Sequence, residues 1–171
     1  MKKSLFFLAL FAMLTVPAYS GSKIIAVNPV GIIFGVPNVN VEFIRPNGLN
    51  PVVGGNLYIY SSSGWSVFGL GVNAGMRKYL EEGKTGHGLY VGGYGGLGML
   101  SAKYAGASTS SLTFSVSGGV GYKVMFNDKY VIGLEGGLSV FLNSGITVGG
   151  VTLGMYSGVG PYGALELGIK I

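Results

Sequence analysis

Apolar and non-apolar residues alternate one by one through most of this sequence. At the C-terminal end Leu165, Leu167, Ile169 and Ile171 are interleaved with Glu166, Gly168 and Lys170. Successive side chains of a β-strand point to opposite faces, so such a segment has one apolar face and one small or charged face. The pattern recurs upstream. Tyr130, Ile132, Leu134, Leu138, Val140 and Leu142 share one parity; so do Leu112, Phe114, Val116, Val120, Tyr122, Val124 and Phe126. Phe68, Leu70, Val72, Ala74, Met76 and Leu80 alternate with Gly69, Gly71, Asn73, Gly75, Arg77 and Tyr79, and Leu89, Val91, Leu97 and Met99 oppose Tyr90, Gly92, Tyr94, Gly96 and Gly98. No stretch after the N-terminal segment fits the helical spacing, and glycine at this density weakens any helix by roughly 1 kcal/mol per residue relative to alanine.

The alternation predicts eight strands, at 23–35, 38–46, 54–62, 66–80, 88–101, 110–126, 130–142 and 159–171. Asn127-Asp128-Lys129 has the composition of a tight hairpin turn. An even strand number puts both termini on one side, with connections 47–53, 81–87 and 127–129 there and 36–37, 63–65, 102–109 and 143–158 opposite. The expected fold is an all-β, eight-stranded, antiparallel up-and-down transmembrane barrel over residues 21–171.

With the apolar parity outward, the lumen receives Glu42, Glu135 and Glu166 together with Arg77, Lys123 and Lys170. An eight-stranded barrel is just wide enough for side chains to fill it. Buried charges there must be paired. The expected lumen is therefore a charge network of these six residues, packed with glycines and with Tyr58 or Tyr60, Tyr79, Tyr90, Tyr94 and Tyr162, and not an open channel. The inverted arrangement, a soluble ligand-binding barrel, would expose the glycine-rich face and needs more charge than the 10% present. An aggregating fibre-type chain is disfavoured by the lack of a fixed-period repeat.

The N-terminus reads as an export signal. Lys2 and Lys3 precede an apolar run from Leu5 to Val16, then Pro17-Ala18-Tyr19-Ser20 offers a cleavage site before Gly21. The run is about a dozen residues, against roughly 20 for a membrane-spanning helix. Residues 1–20 are thus expected to be a signal peptide and the barrel to reside in a bacterial outer membrane. The chain has no cysteine, which excludes a disulfide framework, a lipid-anchored lipoprotein and thiolate metal sites. Two of its 11 basic residues lie in the signal, and the rest exceed the six acidic residues by three, too mild and too scattered a balance for nucleic acid.

Several segments resemble a family of small bacterial outer-membrane barrels of unknown function. Val27-Asn28-Pro29-Val30-Gly31-Ile32-Ile33-Phe34-Gly35 followed by Asn38 to Phe43 is similar to that family's first two strands. Gly75-Met76-Arg77-Lys78-Tyr79-Leu80, Gly88-Leu89-Tyr90-Val91-Gly92-Gly93-Tyr94 and Gly121-Tyr122-Lys123 resemble its later motifs. The matches are short and scattered over residues 24–142. The resemblance implies an eight-stranded barrel of the OmpA/OmpX/OmpW-like kind and no activity. Its expected partners are outer-membrane lipid and the barrel-assembly machinery. Many such barrels end in an aromatic residue read by that machinery, where this sequence ends in Ile171.

Catalytic signals are weak. Gly93-Tyr94-Gly95-Gly96-Leu97-Gly98 matches a dinucleotide fingerprint but lies inside a strand, without the following helix that the motif requires. His87, the only histidine, sits between glycines in a turn, and Asp128, the only aspartate, in another. Neither a catalytic triad nor a metal site follows, and the three glutamates are better read as lumenal ion pairs than as a hydrolytic acid pair. No catalytic, cofactor or metal residue is therefore assigned. Leu153, Met155 and Tyr156 lie in a segment expected to extend a hairpin above the membrane. The functional expectation is a non-enzymatic envelope protein with a structural or surface-interaction role. The alternatives are a narrow pore or lateral-diffusion channel for small or hydrophobic solutes, or a secreted soluble ligand-binding barrel.

Overall fold

The computed structural model describes residues 21–62, 64–81, 83–104, 106–143, 146–148, 151–153 and 158–171. The signal-peptide reading of residues 1–20 lies outside the described residues, as do Met155 and Tyr156. The strands are β1 (Lys23–Val27), β2 (Asn38–Phe43), β3 (Leu49–Ser62), β4 (Trp65–Tyr79), β5 (Gly88–Tyr104), β6 (Ala107–Phe126), β7 (Tyr130–Asn143), β8 (Ile146–Val148), β9 (Val151–Leu153) and β10 (Gly158–Lys170). One short helix, α1 (Pro29–Ile33), stands between β1 and β2. Eight strands close an all-antiparallel barrel in the order β1-β10-β7-β6-β5-β4-β3-β2, while β8 and β9 form a separate two-stranded sheet. The barrel closes where Ile24 and Val27 of β1 meet Lys170 and Leu167 of β10, so the first and last barrel strands lie side by side.

The apolar parity faces out. Leu112, Phe114, Val116, Val120, Tyr122, Val124 and Phe126 of β6 are all exposed, as are Tyr130, Ile132, Leu134, Leu138, Val140 and Leu142 of β7. The buried residues are on the other parity: Glu42, Val52, Arg77, Tyr79, Tyr90, Lys123, Glu135, Ser139 and Glu166. The ladder closes around all eight strands and leaves an unpaired edge where β1 is short, from Gly160 to Glu166 of β10. The turn joining β6 to β7 is tight because Asn127 and Asp128 both take positive φ, 52° and 53°. Asn and Asp tolerate that conformation better than other side-chain-bearing residues.

Four boundaries depart from the sequence expectation. The first strand, expected over 23–35, ends at Val27, and residues 29–33 are helical. Asn28 caps that helix by accepting from the Gly31 N–H at 3.0 Å, and Pro29 occupies its first turn. Gly35, at φ 74°, ends it, with Gly35 N–H donating to Ile32 O and Val36 N–H to Gly31 O. These are the start and stop signals of a helix, and they override the alternation of Val30, Ile32 and Phe34. Second, β2 ends at Phe43, short of the expected residue 46. Third, β3 begins at Leu49, not residue 54, so the expected turn 47–53 shrinks. Pro51 is tolerated within β3 because the ladder to β2 starts only at Val52; at Pro51 the strand pairs with β4 alone. Fourth, the expected loop 102–109 is strand up to Tyr104 and again from Ala107, with small Ala, Ser and Thr residues continuing the pairing.

Candidate functional site in the barrel interior

Five strands each send one charged side chain inward at nearly the same level: Glu42 from β2, Arg77 from β4, Lys123 from β6, Glu135 from β7 and Glu166 from β10. All five are between 1% and 7% exposed. Arg77 is the hub. Its Nη1 donates to Glu42 Oε2 at 3.0 Å and Glu166 Oε2 at 3.1 Å, and its Nη2 to Glu135 Oε2 at 3.0 Å and Glu166 Oε1 at 2.5 Å. Lys123 Nζ bridges Glu42 Oε2 at 2.5 Å and Glu166 Oε2 at 3.0 Å. The planar guanidinium carries five donors and suits this role, since one fork can serve several carboxylates.

Tyrosines complete the cluster. Glu135 accepts from the hydroxyls of Tyr90 (2.7 Å), Tyr94 (2.8 Å) and Tyr162 (2.6 Å), and Arg77 Nε donates to Tyr94 Oη at 2.7 Å. Arg77 also lies 5.0 Å from the Tyr90 ring centroid, within cation–π range. The rings fit because glycines face them. A Cβ on Gly121 would stand 2.4 Å from Tyr90, and one on Gly119 would stand 2.4 Å from the Tyr162 hydroxyl. Asn50, opposite Arg77 on β3, donates to Glu42 Oε1 at 2.8 Å. The sequence reading placed Asn50 in a turn and missed it; its signal is the inward parity it shares with Val52.

Of the six residues expected in the network, the structure brings five together. Lys170 shares their inward parity but lies four residues beyond Glu166, roughly 13 Å further along the strand at 3.3 Å per residue. It sits half-exposed at the barrel end. The cluster therefore holds three carboxylates against two cations, not three against three. Below it, toward the start of β1 and the end of β10, Ile24, Ala26 and Val131 pack with Ile44 and Met125 as an apolar layer.

Above the cluster the lumen opens into a cavity of about 580 Å³. Arg77, Tyr94, Glu135, Tyr162 and Glu166 form its floor. Asn38, Asn40, Asn56, Asn73, Thr113, Ser115, Ser117 and Ser139 line its polar wall, and Tyr58, Val67, Leu100 and Phe141 its upper wall. Asparagine is depleted in strands. Four inward asparagines on β2, β3 and β4 are thus a legible sign of a polar chamber, which the sequence reading did not use.

At the opposite end, in the turn joining β4 to β5, Glu81 accepts from Lys84 Nζ and from the Leu89 N–H, the latter at 3.1 Å. These bonds, the Lys84 one first, hold the Glu81 carboxyl below its usual range, and the same contact raises Lys84. His87 lies in this turn, as its flanking glycines suggest, and is half-buried. Among the described residues no group of three or more His, Cys, Asp or Glu side chains is arranged to hold a metal ion.

An outward apolar surface, a closed barrel and a lumen crossed by an ion-paired, tyrosine-packed layer define a small up-and-down β-barrel. No family model and no curated protein matches the chain. Among solved structures it is similar to the crystal structure of Neisserial surface protein A, at 18% identity and a TM-score of 0.46, over 88% of this chain and 92% of that one.

Proposed function

We propose that this chain is a small, non-enzymatic outer-membrane barrel with a structural or surface-interaction role in the cell envelope, and that its waist does not pass solutes. The observation that carries the reading is the division of its surfaces. Large apolar side chains of β4 to β7 and β10 point outward in alternation, interrupted by small residues such as Gly93, Gly95, Gly118, Gly136 and Gly163, while the charges of those strands' central stretches point inward and pair. In water the outward surface would drive aggregation. In hydrocarbon it is the expected solvent, and a closed barrel satisfies the backbone groups that lipid cannot. Strands of 14 to 20 residues in β4 to β7 exceed the roughly 9–11 needed to cross a bilayer.

The test is fractionation with gel mobility and conductance. The protein is expected in the outer-membrane fraction, with a band that shifts only on boiling in SDS, and with no steady single-channel conductance in planar bilayers. Recovery as a soluble periplasmic protein would overturn the location. A steady conductance that changes with Glu135→Gln would overturn the sealed waist and favour the pore.

A further inference from the structure

The chamber above the ion-pair layer has features that the sealed-barrel role does not use. Its volume, about 580 Å³, lies within the roughly 300–1,000 Å³ of small-molecule sites. In its wall Asn38 Oδ1, Asn40 Oδ1, Asn73 Oδ1 and Thr113 Oγ1 are buried without a hydrogen-bond partner. Buried polar groups in folded proteins are normally paired, so four orphans in one cavity call for a partner that supplies donors. Two of them aim at one point. A Cβ built on Gly54 would stand 2.1 Å from Asn40 Oδ1 and 2.2 Å from Asn73 Oδ1, so only a glycine there lets the two amides come together over the strand. Turning an amide over exchanges acceptor for donor. The sign of the ligand is set instead by the ion-pair layer beneath, where three carboxylates face two cations. That excess of one negative charge favours a cation. Higher up, Tyr58, Val67 and Leu100 replace the amides with apolar wall.

We propose that this chamber binds a small amphiphile with a primary ammonium head. The head, which has three N–H donors and no acceptor, sits at the Asn40 and Asn73 amides above Glu135, and its alkyl chain lies against Tyr58, Val67 and Leu100. An approach from the side is built into the wall. From Gly160 to Glu166 the described ladder of β10 is to β7 alone, because β1 stops at Val27 and α1 takes the place of its continuation. No backbone hydrogen bond joins α1 to these β10 residues among the described residues, and Ile32, Ile33 and Phe34 beside that seam are exposed.

The proposal rests on the sealed-barrel reading, and a boiling-dependent gel shift measured on the same sample reports separately whether the barrel is intact. The experiment titrates octylammonium into the protein in zwitterionic-lipid nanodiscs, with empty discs as reference. Trp65, the single tryptophan, reports binding because it packs against the cluster of Leu100 and Ala102, of which Leu100 lines the chamber. Saturable binding is expected, at least tenfold tighter than for octyltrimethylammonium, which has the same charge and no N–H donor, and none is expected for octyl sulfate. Asn73→Leu should weaken it at least tenfold with the gel shift retained; if that variant does not fold, Asn40→Ser takes its place. Uptake no greater than into empty discs would overturn the proposal and leave water as the amides' partner. Equal affinity for octyltrimethylammonium or octyl sulfate, or unchanged affinity in the folded variant, would also overturn it.

Discussion

Replacing Arg77 by methionine removes the hub of the interior while roughly keeping its bulk. Five hydrogen bonds leave with the guanidinium, to Glu42, Glu135, Tyr94 and twice to Glu166. Charge-assisted hydrogen bonds contribute about 1.5–3 kcal/mol each. Simple addition overshoots, because the bonds share acceptors and the variant relaxes. The better guide is the cost of leaving a buried charge without its partner, about 3–5 kcal/mol. Arg77→Met changes the formal charge of the cluster from −1 to −2, with Lys123 alone facing three carboxylates. The expected destabilisation is about 4 kcal/mol, close to a thousandfold in the unfolding equilibrium. Urea unfolding in detergent micelles, followed by Trp65 fluorescence and by gel mobility, measures it. Adding Glu166→Gln restores the original charge excess, so the double variant should be at least about 1 kcal/mol more stable than the two single effects summed. A single variant within about 1 kcal/mol of the wild type, or strict additivity in the cycle, would refute the hub.

The two inward lysines should behave differently. Lys123→Met is expected to cost about 3–5 kcal/mol because it strands Glu42 and Glu166, whereas Lys170→Met, outside the cluster, should stay within about 1 kcal/mol of wild type in the same unfolding assay. Gly35→Ala places a Cβ 2.1 Å from Ile59 O at a positive φ. It should loosen α1 and lower stability by about 1–3 kcal/mol, read as a lower urea midpoint and faster hydrogen exchange at Val36. Glu81 is expected to titrate below a free glutamate, and Lys84→Ala to return it toward the ordinary value, both by NMR. Its folded pKa is the depressed one, so its contribution to stability is present above the unfolded pKa and is lost as pH falls through the folded value.

How much of this was legible in the sequence follows from which physical signal each residue carries. Parity alone settles a face, and it placed Glu42, Arg77, Lys123, Glu135 and Glu166 together because each lies among apolar residues of the opposite parity. Parity says nothing of height along the strand. Lys170 was therefore grouped with residues from the nearest of which, Glu166, it is separated by the inward Gly168. Residues 29–33 show a second blind spot. Val30, Ile32 and Phe34 alternate as a strand would, yet Asn28, Pro29 and Gly35 carry helix-terminating chemistry, and local capping prevailed where β1 had run only five residues. Residues 47–53 were expected as a connection, which hid Asn50, although Pro51 lies within β3. A proline interrupts only the ladder its N–H would have served, and which neighbour that is depends on register, a tertiary property. The chamber was missed for a related reason. Asn38, Asn40, Asn56 and Asn73 come from three strands, and nothing in the linear order shows that Asn40 and Asn73 meet over Gly54.

The most direct test of the account is the side of the wall that each residue faces in lipid. The chain has no cysteine, so single cysteines can be placed and spin-labelled one at a time. Along β6, Val116→Cys, Val120→Cys and Val124→Cys should show high accessibility to oxygen, which dissolves in bilayers, and low accessibility to a water-soluble nickel chelate. Ser117→Cys and the neighbouring inward positions should be shielded from oxygen. A period-two oscillation with that phase supports an outward apolar face around a sealed interior. The opposite phase, or uniform exposure to the chelate, would contradict it.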